Sequence, residues 1–209
     1  MEQKAVELIL YRWAGSWGPF KVKIPCGECA LTVDVIKDTL ETELKGIPVN
    51  FIIREWLSEW WKPLMKGGWH APIVIVGDKI VSQGHALNRG ILTEAVIEEH
   101  VKLTEIKGNH LFGKETCPHC VRAKGYLKDA NIEFNYHDVV KNPRALYEMI
   151  SRVKPIVGPK TPITVPQIWL NGSYIGGADQ LGKLLNHDVE VNPERGQNSL
   201  TAEPAIMST

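Results

Sequence analysis

The chain has 209 residues, room for two small domains or one large one, and its 44% apolar and 23% charged content is ordinary for a folded globular protein. Lys plus Arg and Asp plus Glu are both 24, so nothing forces a basic face that would take nucleic acid. The start, MEQKAVELIL, lacks the features of a secretory leader, and no apolar run approaches the ~20 residues of a membrane span. A cytoplasmic protein with no membrane partner is expected.

Residues Ala5 to Tyr11 are apolar and strand-like. A long loop holding Trp13, Gly15, Trp17 and Gly18 leads to Pro25. Cys26-Gly27-Glu28-Cys29 then opens a helix with Val33, Ile36, Leu40 and Leu44 facing one way. Val49 to Ile53 reads as a strand, and Ser58 to Met65 as a helix interrupted by Pro63. Pro72 precedes strand Ile73 to Val76, a Gly77-Asp78 turn, strand Lys79 to Ser82, Gly84, and a helix from about Asn88 to His100.

The second half repeats this order. His110 to Phe112 is a short strand ending at Gly113. Thr116 is placed to cap a helix that starts around Cys117-Pro118-His119-Cys120, and Pro118 suits the first turn, where its missing N–H costs nothing. Ala123, Tyr126, Leu127 and Ala130 follow at helical spacing. Ile132 to Tyr136 reads as a strand. Pro143 opens a helix carrying Leu146, Met149 and Ile150. Thr164-Val165-Pro166 precedes strand Gln167 to Leu170. Asn171-Gly172 signals a hairpin, strand Ser173 to Ile175 follows, and after Gly176-Gly177 a helix runs from Asp179 to about Asn186.

Spacing supports an internal repeat: 46 residues separate Cys26 from Pro72, and 49 separate Cys117 from Pro166. The expected architecture is α/β: two tandem thioredoxin-like domains, each a central mixed sheet flanked by helices. They would span residues 1–104 and 105–190, with a linker near 101–108 and a disordered polar tail at 191–209. The alternative is a single such domain behind an unrelated N-terminal one.

All four cysteines fall in two Cys-x-x-Cys pairs. Such pairs serve redox chemistry or a metal. Zinc needs four ligands, with paired units ~15–20 residues apart; Cys26 and Cys117 are 91 apart, so no metal is expected. Thiol exchange needs a thiolate, an accessible sulfur and a second thiol in reach. A cysteine at a helix N-terminus faces unpaired N–H groups and the positive dipole end, which lowers its pKa from ~8.5 into roughly 3.5–7.5. Cys117 would be that nucleophile and Cys120, one turn on, the resolving thiol. A protonated His119 and Lys114 would add positive charge. A cis Val165–Pro166 bond would turn the Val165 backbone toward the Cys117 sulfur. Cys26 and Cys29 form the second candidate pair; Glu28 beside them disfavours a thiolate and favours a more reducing or inert pair.

The pieces Lys114 to Cys120, Thr164-Val165-Pro166 and Gly176-Gly177-Ala178-Asp179 resemble the glutaredoxin family, over about residues 105–190. The resemblance implies a glutathione-dependent thiol–disulfide oxidoreductase, with glutathione as co-substrate. It implies that Lys114 and His119 lie at the glutathione site, with Lys114 on a carboxylate. Thr164, Val165 and Pro166 would pair with the tripeptide backbone, and Gly177, Ala178 and Asp179 would hold the γ-glutamyl end. Pro-His replaces the usual Pro-Tyr, Gln180 replaces a frequent acid, and Lys160 stands nearest to the expected residue before Thr164. Protein partners would carry disulfides or glutathionylated cysteines, ribonucleotide reductase among the candidates.

The first half is similar to the thioredoxin superfamily, and the tandem to two-domain protein disulfide oxidoreductases. Gly84-His85-Ala86-Leu87 lacks the Gly-Gly-x-Asp clamp, so no glutathione site is expected there. A relay of electrons between the two cysteine pairs is the second reading, and a glutathione-ligated iron–sulfur carrier a third. Trp13, Trp17, Trp56, Trp60, Trp61 and Trp69 crowd the first half, as core or as a docking surface.

Overall fold

A computed structural model describes residues 4–23 and 25–185, without the side chains of residues 17, 22 and 23. The tail expected at 191–209 lies outside the described residues. The first sheet contains β1 (Val6–Arg12), β4 (Val49–Glu55), β5 (Ile73–Val76) and β6 (Lys79–Gln83), in the order β4-β1-β5-β6. Strand β1 runs parallel to β4 and antiparallel to β5, and β5 is antiparallel to β6. The second sheet contains β7 (His110–Gly113), β8 (Asn135–Asp138), β9 (Gln167–Leu170) and β10 (Ser173–Gly176) in the order β10-β9-β7-β8. Its pairings repeat the same senses. The two halves therefore share one topology: mixed sheets flanked by helices, as the spacing repeat implied.

Helix α1 (Gly27–Glu41) and α4 (Arg89–Leu103) cover one face of the first sheet. The core there joins Leu8, Leu10, Val74 and Val76 to Ile36, Leu92, Val96 and Ile97. The opposite face carries Tyr11, Ile73 and Ile75 against Trp56, which opens the short α2 (Trp56–Glu59) before α3 (Trp61–Met65). In the second sheet, α5 (Pro118–Asp129) and α7 (Ala178–Leu184) pack on Leu111 and Ile168, and α6 (Pro143–Val157) packs on the alternate residues Phe112 and Trp169. Strand side chains alternate between faces, so α6 and α5 lie on opposite sides of that sheet. Helices α4 and α6 meet: Tyr147 packs into the first core, Arg144 donates to the Lys45 carbonyl at 3.0 Å and Arg152 to that of Thr104 at 3.3 Å. The layers thus run α2/α3, first sheet, α1/α4, α6, second sheet, α5/α7.

Several local expectations change. The expected loop after Tyr11 contains a hairpin, β2 (Ala14–Trp17) and β3 (Phe20–Lys23). Gly15, at φ +132°, lets β2 press on α2, since a Cβ there would meet the Ser58 backbone N at 2.7 Å. The helix expected over 58–65 starts at Trp56 and breaks at Trp60, because Pro63 has no N–H to bond the carbonyl four residues back. Helix α1 buries Cys29, Thr32, Ile36 and Thr39, with Val33 and Leu40 at the flanks. The buried hydroxyls are satisfied: Leu87 N–H donates to Thr32 and Thr39 donates to the Val35 carbonyl. Strand β8 begins at Asn135, three residues later than the alternation suggested, because Asn131 at φ 52° turns the chain out of α5 and residues 132–134 pack Ile132 and Phe134 before pairing starts. Among the described side chains, Trp60, Trp61 and Trp69 are exposed, and Trp13 and Trp56 stack on each other at 4.9 Å, Trp56 packing on Tyr11, Ile73 and Ile75 at the opposite face of the sheet from the main core. Aliphatic side chains fill that core.

Candidate active site

Strand β7 ends at Gly113 and the chain turns into α5 with Cys117 as N-cap and Pro118 in the first turn. Thr116, expected as the cap, lies one residue outside the helix. The N–H groups of Cys120 and Val121 bond the Cys117 carbonyl, each at 3.0 Å, which fixes the backbone that carries the sulfur. Cys117 and Cys120 are both free thiols. Cys117 retains 8% of its surface and Cys120 none, which separates an attackable sulfur from a protected one. Gly113 makes room for the second: a Cβ there would lie 2.8 Å from the Cys120 Sγ.

Electrostatics divide the pair further. Burial pushes the Cys117 thiol up, but hydrogen bonds from the Cys120 N–H and side chain, the His119 N–H and the charge of Lys114 outweigh it, and its pKa falls. Burial pushes Cys120 up to about 11, and the neighbouring Cys117 adds to the rise. The contribution of His119 comes through its backbone. Its exposed ring faces Arg122, Nδ1 to NH2 at 3.3 Å, so the expected imidazolium charge beside Cys117 is not what lowers the thiol.

The Val165–Pro166 bond is cis, and the Cys117 thiol donates to the Val165 carbonyl oxygen at 3.8 Å. Pro166 is buried, Val165 half-buried and Thr164 exposed. Gln167, buried at the start of β9, donates to the Thr164 carbonyl at 2.6 Å and accepts from Tyr174 at 2.5 Å, so it braces the loop from beneath. Gly177 sits beside Pro166: a Cβ on it would be 3.7 Å from the Pro166 carbonyl oxygen. Gly177 is the N-cap of α7, so Asp179 stands inside the first turn and is not the cap. Gln180 accepts from the Gly177 N–H at 3.1 Å. Ala178 is buried, and the exposed Asp179 carboxylate pairs with Arg122. Lys114 is exposed, and Lys160 lies on the exposed turn after α6.

Cys117, Val165, Pro166 and Gly177 thus form a continuous run of neighbours, with Lys114, His119, Thr164 and Asp179 on exposed ground along the same loops and helix starts. Sequence reasoning missed Gly113, Arg122, Gln167 and Tyr174. Arg122 was visible as the residue one turn beyond Pro118 on the active-site helix; the other three act through contacts that only folding creates.

The glutaredoxin family model matches residues 110–175. Glutaredoxin 3 of Escherichia coli (strain K12) is 37% identical over 74 residues, which cover 35% of this chain and 81% of that protein. The chain belongs to the glutaredoxin family. This is a class of thiol–disulfide oxidoreductases, and the dithiol of the glutaredoxin half has the two unlike sulfurs that such chemistry uses. Glutaredoxin-C8 of Oryza sativa subsp. japonica is 32% identical over 90 residues, covering 38% of this chain and 64% of that one. Among solved structures, the glutaredoxin of Brucella melitensis aligns at 29% identity and TM-score 0.31, over 40% of this chain and 83% of its own. A buckwheat glutaredoxin–glutathione complex aligns at 17% identity and TM-score 0.34, over 42% and 76%.

The other cysteine pair occupies the same place in the first half. Cys26 and Cys29 form a disulfide with Cα atoms 5.2 Å apart. Cys26 is the N-cap of α1, its sulfur accepting from the Cys29 N–H at 3.1 Å. The Ala71–Pro72 bond is cis, as is its counterpart. Glu28 lies exposed in the first turn. Among the described residues no group of three or more His, Cys, Asp or Glu side chains is placed to share a metal ion, and no helix is long and apolar enough to cross a membrane.

Proposed function

We propose that residues 105–190 form a glutathione-dependent dithiol oxidoreductase domain, preceded by a thioredoxin-like domain at 1–104. The observation that carries this reading is the position of the free Cys117 thiol, N-cap of α5 and 3.8 Å from the Val165 carbonyl oxygen at the cis Val165–Pro166 bond, where the N–H groups around it hold its pKa down. The Cys117 thiolate attacks the glutathione sulfur of a glutathionylated protein. The protein leaves as a thiolate and takes up a proton, and glutathione stays on Cys117. A second glutathione thiolate then attacks the bound glutathione sulfur, forming oxidised glutathione and releasing Cys117 as a thiolate. With a protein disulfide, the Cys117 thiolate attacks one sulfur and the other leaves as a thiolate. Cys120, once deprotonated, attacks Cys117 Sγ, the bond from Cys117 to the substrate breaks and the second protein thiolate leaves. Two glutathiones reduce the resulting Cys117–Cys120 disulfide, themselves becoming oxidised glutathione.

Glutathione would lie with a carboxylate near Lys114 and its backbone against Val165. Its γ-glutamyl end would meet the N–H groups of Gly177 and Ala178, with its ammonium on Asp179 in place of Arg122. The glutaredoxin family match over residues 110–175 supports this choice of ligand. Substrates are disulfide-bearing or glutathionylated proteins, ribonucleotide reductase being one candidate, in a cytoplasmic setting.

The layer order argues that the two cysteine pairs work separately. Helix α1 and helix α5 are divided by α6 and the second sheet, roughly 30 Å of packed layers at ~10 Å each. A glutathione-coupled assay on a mixed disulfide tests both points. Cys117→Ser should abolish turnover. The Cys26→Ser/Cys29→Ser chain should keep it; a collapse there would favour a relay between the pairs.

A further inference from the structure

We propose that Lys124, seated on the ring of Tyr136, sets the speed of the resolving step: its positive charge stabilises the Cys120 thiolate as that thiolate forms to attack Cys117. This rests on the dithiol route given above and supplies what that route lacks, a source of charge for the buried thiol. Lys124 touches no substrate. It is a positioning residue that acts through Cys120.

Cys120 needs such help. It has no exposed surface, and burial pushes its thiol up to about 11. Ionising a buried group without a compensating charge is unfavourable. The helix brings that charge. Lys124 stands four residues after Cys120 on α5. A long helical side chain lies over the turn before its own Cα, which here is the turn of Cys120. Lys124 is half-buried, and its charge lowers the Cys120 pKa against the effect of burial.

The sheet supplies the seat. Tyr136 pairs with Leu111 across β8 and β7 and packs on the cluster of Leu111, Ala123 and Leu127. Gly113, two residues beyond Leu111, faces the same side, and a Cβ on it would be 2.8 Å from Cys120 Sγ. Ring, ammonium and sulfur therefore gather on the α5 side of these two strands. Lys124 Nζ lies 3.3 Å from the centre of the Tyr136 ring, a cation–π contact. The Tyr136 hydroxyl is buried with no hydrogen-bond partner among the described residues, so the ring is what holds Lys124. Burial and nearby acids push the Tyr136 pKa up to about 12. The seat is thus a neutral phenol and does not cancel the ammonium charge.

The other charges around the pair are engaged. Glu115 holds Lys141, and Asp179 holds Arg122. The Asp138 carboxylate accepts from the N–H groups of Val140 and Lys141 at 2.9 and 3.0 Å. The charge of Lys114 acts on Cys117, and only its backbone acts on Cys120. Lys124 forms no ion pair among the described residues. Timing follows from this arrangement. A Cys117 thiolate opposes ionisation of Cys120. Once Cys117 carries a mixed disulfide that opposition is gone, and Lys124 remains.

In the step itself Cys120 gives its proton to water, and its thiolate attacks Cys117 Sγ. The bond between Cys117 and the substrate sulfur breaks, and that sulfur leaves as a thiolate and takes up a proton. Cys117 and Cys120 are oxidised to a disulfide, and the substrate is reduced by two electrons. Lys124 neither gains nor loses a proton.

The test uses the full chain with Cys26→Ser and Cys29→Ser, mixed in stopped flow with one equivalent of dithiobis-nitrobenzoate, whose thiolate is coloured. A first phase, dependent on reagent concentration, reports attack by Cys117. A second, independent of it, reports attack by Cys120 and release of the nitrothiobenzoate held on Cys117. Lys124→Met and Lys124→Gln should slow the second phase about threefold or more and leave the first unchanged. A thiol about one pH unit weaker as an acid has roughly tenfold less thiolate and roughly threefold greater nucleophilicity. The deficit should persist from roughly pH 6 to 8, where the second phase climbs with the thiolate fraction. Lys124→Arg should restore the rate. Tyr136→Leu should slow the second phase, and Tyr136→Phe, which keeps the ring, should not. An unchanged second phase in Lys124→Met, both phases slowed alike, Lys124→Arg as slow as Lys124→Met, or Tyr136→Phe as slow as Tyr136→Leu would overturn the proposal. A parent chain with no second phase would instead remove the dithiol route itself, and this proposal with it.

Discussion

The Cys117 thiol points at the carbonyl oxygen of Val165, 3.8 Å away, so the residue that would align a bound peptide backbone also marks where the reactive sulfur sits. The groups that lower the Cys117 pKa are mostly N–H donors of α5, with Lys114 adding charge. Iodoacetamide alkylation of the chain with Cys26–Cys29 closed should therefore show Cys117 titrating below the ordinary thiol value. Cys120 should stay unreactive until the pH approaches about 11. Lys114→Ala should move the Cys117 midpoint upward. Equal midpoints for the two thiols would refute the assignment.

Gly113→Ala should destabilise the second half. The added Cβ would stand 2.8 Å from Cys120 Sγ and 3.2 Å from Leu111 Cδ2, both fully buried. Overpacking of this kind costs roughly 1–3 kcal/mol, which a urea midpoint will register. Gly125→Ala, where a Cβ would meet nothing within 4 Å, should stabilise or leave the midpoint unchanged, since alanine is the better helix former.

Asp179→Asn separates a ligand contact from a structural one. The Arg122–Asp179 pair is partly exposed, 29% and 55% for the two side chains, and such a pair contributes about 0–1 kcal/mol to folding. Melting should therefore move little. KM for glutathione should rise about tenfold or more, as expected for losing a charge-assisted hydrogen bond. Unchanged KM would remove Asp179 from the proposed site.

Acid should weaken the native state through two half-buried histidines. Burial lowers the pKa of His137, with His110 adding to the fall and Glu148 opposing it; burial lowers that of His100 as well. His137 is held by His110, nitrogen to nitrogen at 2.9 Å. The unfolded chain binds more protons than the folded one below ~6.5. This stability is complete above that pH and is lost as pH falls through it toward the lower folded values. Urea midpoints from roughly pH 7.5 to 5.5 should decline, and His137→Gln should flatten part of the decline.

Much of this protein was legible in the chain. The two Cys-x-x-Cys pairs, the equal intervals to Pro72 and Pro166, and the Asn171-Gly172 turn encode local geometry: a helix start, a strand entry, a hairpin whose two residues take positive φ. These depend on nearest neighbours, so residue order suffices to announce them. The β2–β3 hairpin escaped because it rests on Ser58, 42 residues away from Ser16.

The sequence by itself determined the glutaredoxin-like unit, pointed through the repeated spacing to a second sheet-and-helix unit, and put a cysteine at the start of a helix in each. Folding alone decided how unlike those cysteines are. Residue order places Cys117 and Cys120 one turn apart, but the difference in their proton affinity comes from burial, from N–H groups aimed at one sulfur, and from the space left by Gly113. Desolvation and close contact are properties of three-dimensional surroundings, and they arise only once β7, β9 and α7 have been brought around the start of α5.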